Sequence, residues 1–227
     1  TPQASVALGS EQGIIASAAI STGSTTGEFL LPAIDFLLDQ AHLSMNSIAA
    51  MAVGLGPGLF TGLRIGVTTA KTLAQALAVP IVGQSSLDLL AFDGRYSSRL
   101  ICPVLDARRG EVFYCFYRQT PGGVERVGDY SVGPPRRLMA EIQGIGSEVL
   151  LMGYGALLNR HELQETSRAE FGSLADAFPR ASALLALALP RLFREDFDSV
   201  FEIEPMYMRR STAAIPWVQR GTKRKAG

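Results

Sequence analysis

The stretch Ala49-Ala50-Met51-Ala52-Val53-Gly54-Leu55-Gly56-Pro57-Gly58-Leu59-Phe60-Thr61-Gly62-Leu63-Arg64 carries a small-residue apolar run through a glycine-rich turn into a segment of helical spacing. Leu63, Val67, Ala70, Ala74 and Leu77 recur at intervals of four and three, which is one apolar face of a helix. Arg64, Thr68, Lys71 and Gln75 repeat those intervals as a polar stripe. The pattern predicts a strand, then a turn with Thr61 as N-cap and Phe60 stapled against Ile65, then a helix from Gly62 to about Ala78. Pro80 stops that helix and opens a strand over residues 81–83. Strand, turn, helix and strand in this order are half of an α/β fold.

Upstream, the apolar runs 5–8 and 14–20 flank Gly9-Ser10-Glu11-Gln12-Gly13, which predicts a hairpin with a five-residue loop. Thr25 and Glu28 have capping-box spacing, and the helix they open sets Leu30, Leu31, Ile34, Leu37, Leu38 and Ala41 on one face. Its other side carries Phe29, Ala33 and Phe36, too apolar for a solvated face. Two readings follow: a helix buried on both sides within one fold, or a face on which a partner helix docks. Downstream, residues 100–106 and 111–118 form a second hairpin around Ala107-Arg108-Arg109-Gly110. A strand over 127–132, a helix over 135–143 and a strand over 149–152 follow. A final alanine- and leucine-rich helix over 181–193 is interrupted by Pro190. Hairpin, helix, strand and helix thus recur, which predicts two related α/β lobes, 1–97 and 98–210, and a basic tail over 211–227.

The 227 residues carry 21 Lys plus Arg against 21 Asp plus Glu, so no body-wide basic surface grips nucleic acid. Arg220, Lys223, Arg224 and Lys225 make the only dense basic run, read either as a solvated tail or as a local RNA contact. Cys102 and Cys115 sit in apolar strand-like segments and read as buried reduced thiols. Neither they nor His42 and His161 have ligand-spaced partners, so no metal site is expected. No apolar run reaches about 18 residues, the length of a membrane span. The glycines at 54, 56, 58 and 62 invite a phosphate cradle, but neither G-x-G-x-x-G nor G-x-x-x-x-G-K-[ST] is met. A tight strand-to-helix turn, or one that aims Arg64 at a partner or shared ligand, remains. Asp106 and Glu111, with Arg108 and Arg109 between them, read either as an acid/base pair or as an ion cluster that fixes the turn. Gly153 and Gly155 after a strand read as a ligand-facing loop or a plain turn.

Three blocks in order resemble the bacterial TsaB (YeaZ) family. The first is Gly56 to Gly66 with Ala70-Lys71, Pro80 and Ser85-Ser86-Leu87; the second is Val104 to Phe113; the third is Glu204-Pro205-Met206-Tyr207-Met208-Arg209. The resemblance implies the two-lobed fold of actin, Hsp70 and sugar kinases, and a cytoplasmic role in threonylcarbamoylation of tRNA adenosine beside the anticodon. It implies a non-catalytic subunit with no cofactor and no metal, which binds and activates a TsaD-like catalytic subunit. A TsaE-like ATPase and tRNA join through that complex, and the chain alone forms a homodimer. The implied partner surface comes from the first two helices: Phe29, Ala33 and Phe36 from one, Arg64, Thr68 and Lys71 from the other. An independent actin-like ATPase or phosphotransferase is the alternative. The chain departs from the family in three places. The family's opening strand, ending in Asp-Thr-Ser, is expected to be missing. Thr26-Gly27-Glu28 stands where His-Ser-Glu is usual, and Leu59 replaces a usual serine.

Overall fold

The computed structural model describes residues 3–21 and 26–208. Thr25 of the expected capping box, Arg209 of the third family block and the basic run at 220–225 lie outside the described residues. Two strands open the chain, β1 (Gln3–Ser10) and β2 (Gly13–Ser21). They pair antiparallel with Ser10 opposite Gly13, so the loop is two residues rather than the five expected. A bulge at Leu8/Gly9 absorbs the difference, because a register shift lets both strands run further before they turn.

Helix α1 (Thr26–Gln40) leads to β3 (Met51–Gly56), α2 (Phe60–Leu77) and β4 (Ile81–Ser85), which runs parallel to β3. α2 starts one residue before the expected cap. Leu59 is the N-cap and makes no side-chain capping bond, and Phe60 is inside the helix. Ala78 ends α2 in the left-handed conformation and returns its amide to Ala74 and Gln75. A further helix, α3 (Ser86–Asp93), is capped by Ser85, whose hydroxyl accepts from the Leu87 amide.

The second half builds β5 (Leu100–Arg108), β6 (Glu111–Thr120), β7 (Gly123–Gly133), α4 (Pro135–Ile145) and β8 (Val149–Met152). Two short helices, α5 (Tyr154–Leu158) and α6 (Arg160–Leu163), and a strand, β9 (Ala169–Phe171), follow. These strands make one five-stranded sheet in the order β7-β6-β5-β8-β9. Its central strands are sealed: Ile101, Cys102, Val104, Val112 and Leu151 are buried, with Leu138 and Ile142 of α4 buried against them. Burial on both faces explains why β5 and β6 read as continuous apolar runs rather than as alternating ones.

The last helix, α7 (Ala181–Phe193), keeps its helical course through Pro190. Element order groups it with the second half, but it packs across β1, β2, β3 and β4 of the first. Ser5 of β1 accepts from the Ala181 amide at 3.0 Å and anchors its start. The chain then runs on over the first half: the Asp198 amide donates to Ile81 O and the Met206 amide to Leu55 O. Arg191 ties this return, reaching Asp196, Asp198 and the Gly83 carbonyl. Residues 181–208, expected within the 98–210 lobe, therefore pack on the elements of the first half. A carboxylate–guanidinium network and an apolar helix face outweigh sequence proximity here.

Candidate functional site

α1 and α2 pack against each other and leave rows of side chains outside. On α1, Phe36 is 58% exposed and Leu31 50%. Leu31 was expected on the core face with Leu37 and Leu38; those two are buried and Leu31 is not. Phe29 is half-buried. Ala33 corrects the sequence expectation: at 7% exposure it belongs to the protomer core and cannot touch a partner. A helix that carries apolar residues all round offers more than one inward face, and packing chooses among them.

On α2, Arg64 and Thr68 are exposed as the polar stripe requires. The Arg64 guanidinium lies 4.0 Å over the centre of the Phe60 ring, and its Nε donates to the Tyr207 hydroxyl at 3.0 Å. Phe60 and Tyr207 complete the triangle with ring centroids 5.3 Å apart. Phe60 is 51% exposed and Tyr207 46%, so this cation–π cluster stands at the surface. Lys71, expected to face outward to a partner, turns onto the chain itself: Nζ donates to the carbonyls of Ile203 at 3.1 Å and Phe201 at 3.3 Å. The segment 201–207 thus lies along α2 and adds Phe201 and Tyr207 to its outer face.

Of the six sequence-assigned residues, Phe36, Arg64 and Thr68 are exposed, Phe29 is partly so, Ala33 is internal, and Lys71 serves as a strut. Phe60, Phe201 and Tyr207 were not assigned to the surface from the sequence. Phe60 reads locally as a staple, and Tyr207 is 143 residues from its Arg64 partner, so no periodicity could join them.

The glycine-rich turn serves the fold. Gly56 has φ +101, and a Cβ there would come within 2.8 Å of the Leu63 side chain. Its approach is to the chain's own Leu63 and Met206. In the second hairpin, Asp106 accepts from the Arg108 amide at 2.7 Å and pairs with its guanidinium at 3.4 Å, which is the turn-fixing reading of that cluster. Gly155 lets the chain pass close over β5, because a Cβ would sit 2.7 Å from the Leu105 carbonyl carbon. Among the described residues, no three His, Cys, Asp or Glu side chains converge. No helix among them is long and apolar enough to cross a membrane.

One polar cluster lies deeper. The Asp88 carboxylate on α3 accepts from the hydroxyls of Tyr117 at 2.6 Å and Tyr130 at 2.9 Å. Burial, and next the Asp88 charge, push the Tyr117 phenol far up. Burial pushes the Cys115 thiol to about 11. The phenols of Tyr117 and Tyr130 are neutral at physiological pH, and their hydrogen bonds to Asp88 tie α3 to the large sheet.

The family model described as "TsaD: tRNA N6-adenosine threonylcarbamoyltransferase" matches residues 25–217. The chain is 32% identical over 195 residues to the tRNA threonylcarbamoyladenosine biosynthesis protein TsaB of Bacillus subtilis (strain 168), covering 83% of this chain and 82% of that one. It is 27% identical to the protein of the same name from Escherichia coli (strain K12), covering 81% and 80%. Among solved structures, YeaZ from Pseudomonas aeruginosa superposes with a TM-score of 0.79 at 27% identity, covering 91% of this chain and 95% of that one.

Proposed function

We infer the function from one premise: this chain belongs to the TsaB family, within the TsaD-type domain family, and has the actin-like fold. Its role is in tRNA threonylcarbamoyladenosine biosynthesis. Within that role the chain is a non-catalytic subunit. It binds a TsaD-type catalytic subunit through the outer face of α1 and α2 and holds that subunit in its competent state. The observation that supports this reading is the exposure of Leu31 and Phe36 on α1 together with the exposed Phe60–Arg64–Tyr207 cluster on α2 and the segment along it. Large apolar side chains kept in water, next to an arginine already stacked and oriented, match the aromatic and Arg anchors of protein interfaces. An interface of about 1,200–2,000 Å² would cover them. Alone, the same face closes on a second copy about a two-fold axis, so that partner and homodimer compete for it. The ATPase of the pathway and the tRNA reach the chain through the complex, in the cytoplasm.

The test replaces Leu31 and Phe36 together by Asp. The double variant should keep the wild-type circular dichroism and melting temperature. It should fail to form a heterodimer with the cognate TsaD-type subunit on size exclusion with light scattering, and the modification activity of the mixture should fall with it. A heterodimer that forms undiminished overturns the interface. Calorimetry of the isolated chain with ATP and magnesium, showing tight binding with turnover, would instead make it an independent phosphotransferase.

A further inference from the structure

Phe60 and Arg64 stand one turn apart on α2 and share a face, so the guanidinium can lie over the Phe60 ring at 4.0 Å. Its Nε donates to the Tyr207 hydroxyl at 3.0 Å. Tyr207 is held in turn by its own segment. Lys71 Nζ donates to the carbonyls of Phe201 and Ile203, and the Met206 amide donates to Leu55 O at 2.7 Å. One face and one edge of the guanidinium are therefore engaged. The fork of its two Nη groups is left, and among the described residues neither has an acceptor. Such a fork matches the two oxygens of a carboxylate bidentately. The side chain is ordered before anything binds, so it gives up little of the entropy that a free arginine loses.

The charges around the fork select its ligand. α2 contains no acidic residue, and its other cation, Lys71, is engaged with two carbonyls. α1, packed on α2, has Glu28, Asp35 and Asp39 exposed and contains no cation. Although the two helices touch, none of these carboxylates is ion-paired among the described residues, so the chain does not satisfy Arg64 from within. Three exposed carboxylates on the adjoining helix repel a polyphosphate chain, which needs several cations in register where α2 offers one. A single carboxylate needs only the fork. The Phe60 and Tyr207 rings exclude water from the cation's own side, which strengthens such a pair once a partner covers the other.

We propose that Arg64 is the receptor for one Asp or Glu side chain of the TsaD-type subunit, and that Tyr207 is the positioning residue that aims it. The return segment 201–207, braced by Lys71, is thereby part of the interface although it lies in neither of the two helices. The inference rests on the partner-binding reading above and names the chemical group that the partner supplies to it.

The experiment measures binding of the full chain to the cognate TsaD-type subunit by calorimetry at low and high salt, with circular dichroism as the check on each variant's fold. Arg64→Gln should weaken binding by at least about thirtyfold. It should also remove most of the wild-type salt dependence. Arg64→Lys keeps the charge but not the fork, and should recover only part of the affinity. Tyr207→Phe keeps the ring and removes the hydroxyl, and should weaken binding about two- to tenfold. In the Arg64→Gln background it should add nothing, which a merely structural role would not show. One Asp→Arg or Glu→Arg substitution on the partner should restore binding to Arg64→Glu. If the wild-type chain binds and Arg64→Gln binds equally well, the proposal is overturned and the partner-binding reading stands. A wild-type chain that does not bind the subunit overturns both. The proposal is also overturned if no charge exchange rescues Arg64→Glu. The same holds if Arg64→Gln disperses a homodimer by light scattering while the heterodimer stays intact, because a second copy then supplies the carboxylate.

Discussion

In the five-stranded sheet, β5 has β6 on one side and β8 on the other, and its residues 101–105 are shut away from water. In the first half, β1 has one neighbour among the described residues, and all eight of its residues remain half-exposed beneath two helices. Both regions have helices on their faces, so face coverage alone does not make a core. Lateral pairing closes the sides of the layer, and only then do apolar side chains reach the packing density of an interior.

The comparison breaks most visibly under truncation. Leu151→Ala, in the sealed sheet, should cost about 2–5 kcal/mol in urea unfolding. Leu8→Ala, in β1, should cost about 1 kcal/mol, because water already reaches that side chain. Equal losses would show that the two layers are equally packed. Next in size is the tie between α3 and the large sheet. Asp88→Ala leaves the hydroxyls of Tyr117 and Tyr130 without their acceptor, and should cost about 2–3 kcal/mol by the same measurement.

Alkali sharpens the contrast further. The folded Cys115 thiol and the Tyr114, Tyr117 and Tyr130 phenols have pKa values raised above their ordinary ones. The unfolded chain therefore releases these protons first, and stability falls as pH rises. The loss begins near pH 9, the ordinary thiol value, and continues through about 11, the folded Cys115 value. Above pH 10 the phenols add to it. Melting temperatures recorded from pH 7 to 11 should be flat and then fall, with near-ultraviolet circular dichroism of the tyrosines lost in step. The smallest effect belongs to the outer face: Phe36→Asp should change stability by no more than about 0.5 kcal/mol, since most of the side chain is already in water.

Much of the fold was legible because its signals are local. The stripe from Leu63 to Leu77 marked α2, and the strand at Val149–Met152 and the helix at Ala181–Phe193 have the bounds that the sequence implied. The α3 helix went unseen: at eight residues, nearly apolar all round, it has no period to show. The candidate site was legible in part. Phe36 and Arg64 stood out as an apolar residue on an otherwise outward face and a charge on a polar stripe. Ala33 and Leu31 exchanged roles because two apolar stripes on one helix differ only in what happens to lie beside them.

The sequence by itself determined the order of the longer elements, the apolar strands of the large sheet and the family, since hydrophobic period, turn chemistry and motif spacing act over a few residues. Tertiary structure alone decided that α7 returns to the first half, that Lys71 braces residues 201–203, and that Tyr207 meets Arg64 across 143 positions. It also decided that β1 and β3 stand apart. Each of these depends on which distant surfaces bury each other best, and no local propensity encodes that choice.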